Sequence, residues 1–148
     1  MQPTEHIVLA ADHAGFTLKE AVKKYLAGKG IDVVDVGTFD EEQVDYPAIM
    51  RKGAAAVLAY ECFGIFFGKS GNGEAMAANK VRGIRAAVCY SEEITKLARA
   101  HNNANVMSLG AGFIDEKEAC HLIDIFLATD FEGGRHTGRV ADIEIPSL

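Results

Sequence analysis

Three features of the chain predict an α/β protein, a three-layer α/β/α sandwich around a five-stranded parallel, Rossmann-like sheet. Its apolar runs are short and lack polar alternation, as strands covered on both faces require. The segments between them carry apolar residues at helical spacing. Glycines and polar turn residues punctuate the joins, and strands that alternate with helices build parallel sheets.

The first strand is expected at His6-Ile7-Val8-Leu9-Ala10-Ala11, ending at the polar Asp12-His13-Ala14-Gly15. Leu18, Val22, Tyr25 and Leu26 then share one helical face, and Gly28 with Gly30 mark its end. Ile31 to Val36 reads as a second strand closed by Gly37, and Thr38 to Asp45 as a polar loop. Tyr46-Pro47 opens an alanine-rich helix to about Tyr60, with proline where its missing N–H costs nothing. The third strand, Phe63 to Phe67, runs into Gly68-Lys69-Ser70-Gly71-Asn72-Gly73-Glu74 and a short helix to about Val81. Ile84 to Cys89 is a fourth strand, and Ser91-Glu92-Glu93-Ile94 has the pattern of a capped helix start. In that helix Ile94, Leu97 and Ala98 share a face that His101 extends. Val106 to Leu109 is the fifth strand, and Asp115 can cap the last long helix, with Ala119, Leu122, Ile123, Phe126 and Leu127 as its stripe. The tail from Phe131 to Arg139 is glycine-rich and basic, and little of it is expected to pack as core.

The 148 residues suit one domain with a real core, and 49% apolar with 24% charged residues is ordinary for a globular chain. A net charge of -6 and the lack of a basic stripe argue against a nucleic-acid partner. No apolar run approaches the roughly 20 residues needed to span a bilayer, and Met1 to Glu5 lacks a signal-peptide pattern. Cys62, Cys89 and Cys120 have no paired spacing and read as reduced core thiols of a cytoplasmic protein.

The chemistry-bearing residues fall mostly where parallel sheets bind ligands, at the carboxyl ends of the strands. Asp12 and His13 follow strand one, Tyr46 ends the loop after strand two, and Ser70 to Glu74 follow strand three. The glycine-rich turn at 68–74 converges backbone N–H groups on a helix start, an anion site by geometry. It has neither the spacing of a dinucleotide-binding loop nor that of a Walker loop. A loop built only for phosphate gains nothing from Glu74, whereas one that removes a proton from carbon and stabilises the oxyanion needs both parts. His101 and Asn102 end the fourth helix, at the opposite edge, and Arg135 and Arg139 lie in the tail, i, i+4 apart as a clamp for phosphate. A second subunit is the simplest way to unite the two sets. Each residue also has a plain structural reading: a tight turn at 68–74, a helix cap at Asp12, packing at His13, a dipole-favoured histidine at His101, and a solvated tail.

Six blocks occur in order: Ala11-Asp12-His13-Ala14-Gly15, Asp45-Tyr46-Pro47, Ser70 to Glu74 with Ala77-Ala78-Asn79-Lys80, Gly83-Ile84-Arg85-Ala86, His101 to Val106, and Glu132-Gly133-Gly134-Arg135-His136. Together they resemble ribose-5-phosphate isomerase type B, of the RpiB/LacAB sugar-phosphate isomerase family, over essentially the whole chain. The resemblance implies an aldose–ketose isomerase that needs no metal or other cofactor and takes a small sugar phosphate. It also implies a homodimer whose active sites are shared across the interface, with a tetramer left open. It assigns ring opening to His101 with Asp12, proton transfer between C2 and C1 to Glu74, and oxyanion stabilisation to Ser70 and the backbone of Gly71, Asn72 and Gly73. It places phosphate on His13, Arg135 and Arg139, and the sugar on Tyr46 and Asn102.

Two departures stand out. Many members carry a catalytic cysteine where this chain has Gly68, and Cys62, roughly 20 Å back along an extended strand, cannot replace it. The chain instead resembles the variant that reads Ser-Gly-Asn-Gly-Glu and uses the glutamate as base. Gly112 stands where an arginine usually contacts phosphate. The alternatives are the same mechanism on a tetrose or hexose phosphate, and a non-catalytic small-ligand-binding module, which would have no use for Glu74 and His101 together.

Overall fold

A computed structural model describes residues 5–146; the expectation for the first four residues lies outside that range. The strands are β1 (His6–Ala11), β2 (Asp32–Asp35), β3 (Phe63–Gly68), β4 (Ala86–Val88) and β5 (Val106–Gly110). The helices are α1 (Phe16–Gly28), α2 (Tyr46–Tyr60), α3 (Asn72–Ala78), α4 (Glu92–Ala100), α5 (Glu116–Ala128) and α6 (Arg135–Ile143). All strand pairs are parallel, in the order β2-β1-β3-β5-β4. The expected five-stranded α/β architecture is therefore the observed one.

The strand period of two divides the core. Ile7, Leu9, Ile65, Phe67, Met107 and Leu109 face one layer, where Leu18, Val22 and Leu26 of α1 and Leu122, Ile123 and Phe126 of α5 cover them. Val8, Ala10, Phe66 and Val106 face the other, under Met50, Ala54 and Val57 of α2. Caps match the sequence: Ser91 Oγ accepts from Ile94 N–H, Asp115 Oδ1 accepts from Glu118 N–H, and Pro47 sits in the first turn of α2.

Four expectations are corrected. The fourth strand shrinks to Ala86–Val88, and just before it Arg85 N–H donates to the Asn105 side chain, at Oδ1 and 2.8 Å, instead of to a strand. Asn79 covers the outer side of that strand, donating to Ala86 O at 2.9 Å and accepting from Ala86 N–H at 2.7 Å. The third helix ends at Ala78 rather than near Val81. The tail is not left unpacked: it forms α6, which buries His136. Cys62 and Cys89 are buried, but Cys120 is only partly so. Lys19, which the helical pattern leaves unremarked, is fully buried and pairs with Asp35 at 2.6 Å, tying α1 to β2.

α2 crosses the sheet at Gly53, where an added Cβ would come 2.8 Å from Phe66 Cζ and 3.0 Å from Ala10 Cβ. Alanine there gains about 1 kcal/mol of helix propensity but overpacks two fully buried neighbours, at about 1–3 kcal/mol. Gly53→Ala is expected to lower the urea midpoint of unfolding; a raised midpoint would show that α2 can lift freely off the sheet.

Candidate active site

β1, β3 and β5 are neighbours, and their carboxyl ends hold three loops side by side. Asp12 N–H donates to Phe67 O at 3.3 Å, tying the end of β1 to β3. Beyond the paired Gly68 and Gly110, Ala111 N–H donates to Gly68 O at 2.8 Å and Gly112 N–H to Lys69 O at 3.0 Å. The β3 and β5 loops thus continue the ladder past the sheet. Gly71 sits in the left-handed region at φ +85°, which glycine adopts without strain. Its carbonyl is fixed by Ser108, fully buried on β5, whose Oγ donates to it at 2.7 Å. Sequence reasoning passed over Ser108; a lone hydroxyl in an apolar strand was the available signal.

The turn expected at 68–74 becomes helical by Asn72, so Glu74 lies in the first turn of α3 and is 4% exposed. A Cβ built on Gly68 would fall on the Glu74 carboxylate. Only glycine at 68 leaves that space, so the missing side chain and the carboxylate are two halves of one arrangement. Burial pushes the Glu74 carboxyl above the ordinary carboxylate range; its own backbone N–H draws it back, the Asp12 carboxylate raises it further, and Gly71 N–H lowers it. Asp12 is itself 6% exposed and accepts from Gly15 N–H at 3.1 Å, which closes the turn before α1; it does not cap that helix, whose N-cap is Gly15.

The other carboxyl-edge candidates gather around this pair. Tyr46, the first residue of α2, lies over Gly73, where a Cβ would meet its hydroxyl at 2.5 Å. His13 Nδ1 lies 3.2 Å from Val44 N and 3.3 Å from Val44 O, which ties its ring to the loop before α2. Ser70 Oγ accepts from Asn72 N–H at 3.2 Å, and both residues line a hollow with Cys89, Tyr90 and Phe113. The stem of Lys69, a residue not singled out from sequence, crosses Gly112, where a Cβ would meet its Cδ and Cε at 2.8 Å.

His101, Asn102 and Arg139 are not brought to this edge. They line a separate cavity of about 430 Å³ with His136, beside the turn that leads into β5. Asn105 O accepts from Gly64 N–H at the start of β3, so the length of that strand, about 17 Å, separates the two groups within one chain. Arg135 opens α6, one turn before Arg139, and both are exposed. His136 was quoted only as part of a motif, yet its ring stacks on His101 with centroids 4.2 Å apart. Burial pushes the His136 imidazole below its ordinary range, helped first by His101 and then by Arg135. Among the described residues no helix is long and apolar enough to cross a membrane.

Comparison with known proteins matches residues 7–143 to the family model described as Ribose/Galactose Isomerase. Ribose-5-phosphate isomerase B of Escherichia coli is 38% identical over 138 residues, covering 93% of each chain. The crystal structure of a ribose 5-phosphate isomerase from Thermotoga maritima superposes with a TM-score of 0.91 at 48% identity, over 94% of this chain and 97% of that one. The Mycoplasma genitalium ribose-5-phosphate isomerase B, solved with bound ribulose 5-phosphate, gives 0.89 at 39% identity, over 94% and 93%.

The raised Glu74 carboxyl carries a stability consequence whose sign is fixed. Such a group binds its proton more tightly folded than unfolded, so its contribution falls as pH rises through the folded pKa. Glu74→Gln, which removes the ionisation, should raise the melting temperature at neutral pH. The gain should shrink as pH falls through the raised folded pKa and be gone below the ordinary carboxylate range. A variant that melts below the wild type at neutral pH would refute the buried-charge account.

Proposed function

The chain belongs to the ribose/galactose isomerase family and is an aldose–ketose isomerase, and from that premise we propose that it interconverts ribose 5-phosphate and ribulose 5-phosphate with Glu74 as the base. The observation that carries this reading is the buried Glu74 carboxylate, seated where any side chain at 68 would stand and raised in pKa. A carboxylate whose pKa is raised is a stronger proton acceptor than an ordinary one, which suits it to take a proton from carbon.

The steps balance without a redox partner. After ring opening, Glu74 removes the C2 proton, and the electron pair moves through C1 to the carbonyl oxygen, forming a cis-enediolate. A proton passes from the oxygen on C2 to the oxygen on C1, and Glu74 returns its own proton to C1, leaving the carbonyl on C2. Backbone N–H groups of Ser70 to Glu74, with the Ser70 hydroxyl, bind the developing oxyanion. Tyr46 and Asn102 position the sugar.

Ring opening calls on His101 with Asp12, and phosphate on His13, Arg135 and Arg139. Within one chain these sit at opposite edges of the sheet, so the reading requires a homodimer in which each Glu74 edge faces the partner's His101 edge. Gly112 carries no cation, and this favours a second substrate reading, a tetrose or hexose phosphate under the same mechanism. The Lys69 stem across Gly112 supplies a replacement cation in that region and supports the pentose phosphate reading.

A panel of four-, five- and six-carbon aldose phosphates, followed for ketose formation, tests the substrate; faster turnover of any other sugar overturns ribose 5-phosphate. Glu74→Gln is expected to lower kcat at least 10²-fold with binding of the sugar phosphate little changed, and near-normal kcat removes Glu74 from its role. In the wild type the acid limb of kcat/KM should lie above the ordinary carboxylate range.

Sharing of the site has its own readout. Inactive Glu74→Gln and His101→Asn chains, unfolded and refolded together in equal amounts, should regain about a quarter of wild-type activity, since half the dimers are mixed and each holds one intact site. A mixture as inactive as its parts would place both residues in one chain's site. Arg135→Ala with Arg139→Ala should raise KM for phosphorylated sugars far more than for free ones; equal effects would count against a phosphate clamp.

A further inference from the structure

We propose that His101, Glu132 and His136 form a binding site for a divalent transition-metal cation, Zn²⁺ foremost, and that its occupation inhibits the enzyme. The Nε2 atoms of His101 and His136 each lie 3.8 Å from Glu132 Oε1. The three ligand atoms all fall within 4.8 Å of one another. A separation of 3.8 Å is too long for a hydrogen bond. A tetrahedral zinc ion with bonds of about 2.1 Å needs ligand atoms about 3.4 Å apart. Closing each histidine–glutamate pair by about 0.4 Å, and bringing the two imidazole nitrogens, within 4.8 Å of each other, to the same spacing as the stacked rings tilt open, brings the set to bonding distance.

A second observation points to the same place. His136 is only 7% exposed, and its Nε2 has no hydrogen-bond partner although it is buried. Buried polar atoms are almost always satisfied, so an orphaned imidazole nitrogen facing a carboxylate is an open ligand position. The mounting is firm: Glu132 N–H donates to Ala100 O at 2.9 Å, next to His101, and His136 N–H to Gly133 O at 3.0 Å. Two imidazoles and one carboxylate suit zinc and its first-row neighbours, whereas magnesium and calcium prefer oxygen. Arg139 lines the same cavity and Arg135 lies one turn away, so the local field repels cations. Only a metal held by inner-sphere nitrogen bonds overcomes that field.

Inhibition rests on the reading of His101 in ring opening. A nitrogen bonded to a metal cannot exchange a proton with the ring oxygen, so occupation of the cluster would stop turnover while Glu74 stays intact at the other edge of the chain. Catalysis itself needs no metal in this scheme, which makes the ion a brake.

Titrating metal-free full-length protein with Co²⁺ tests the site without recourse to activity. Visible absorption of nitrogen-ligated cobalt should saturate at one ion per chain and be lost when Zn²⁺ is added. Glu132→Gln should weaken binding at least tenfold, and His136→Asn likewise. No cobalt band, or a band of full affinity in both variants, overturns the site. For inhibition, Zn²⁺ should slow the wild type reversibly, with EDTA restoring the rate, and Glu132→Gln should need at least tenfold more Zn²⁺. Stoichiometric binding without inhibition overturns the inhibitory half and counts against His101 in ring opening, while the site stands.

Discussion

Everything at the carboxyl edge depends on one steric exclusion: β3 must end in a residue without a side chain. The Glu74 carboxylate fills the volume that a Cβ at Gly68 would claim, so the two positions are occupied by a single group contributed from α3. Around that point the glycine turn is fixed by Ser108 from β5, and Tyr46 from α2 closes over Gly73. Asp12 arrives from β1 with its backbone already bonded to β3. The carboxylate therefore sits among three strand ends, desolvated and facing a second carboxylate. Its raised pKa is a product of position more than of any one neighbour.

A second buried charge organises the opposite edge. Arg99 is fully buried and, among the described residues, has no carboxylate within ion-pair distance. It lies over the rings of Phe63 and Phe126 at 4.7 and 5.6 Å. Its Nη1 donates to Ala104 O at 2.6 Å and Asn103 Oδ1 at 3.0 Å, and its Nε to Thr129 O at 3.2 Å. These bonds fasten the turn after His101 to the end of α5, from which Glu132 and α6 continue. Charge-assisted bonds from Nε and Nη1 stand in for a counter-ion, while Nη2 is buried without a hydrogen-bond partner. The spatial relation of His101 to Glu132 and His136 is inherited from this clamp.

Much of this was legible in the residues. The buried central strands β1, β3 and β5 advertise themselves as unalternated apolar runs, and with two shorter, partly buried edge strands they sufficed for the architecture. Glu74 announced itself as a carboxylate where an anion loop has no use for one, after a strand end, Gly68, that has no side chain. What stayed hidden was tertiary in origin. The fourth strand looked longer because Ile84 and Cys89 are apolar, whereas the backbone bond of Arg85 goes to the Asn105 side chain. α6 was read as tail because glycine and arginine dominate its sequence, while the burial of His136 is decided by His101, 35 residues away. Lys19 and Arg99 looked like surface residues because their partners, Asp35 and two aromatic rings, come from other elements.

The amide of Asn79 has a wider meaning for how copies of this chain can meet. An edge strand ordinarily presents free donors and acceptors, an invitation to recruit a strand from another molecule. Here one side chain answers both groups of Ala86, as a one-residue counterfeit of the next strand. At Ala86 the sheet edge is closed to a further strand. Association along it has to be written in side chains, which can be specific, instead of in backbone, which pairs with almost any strand.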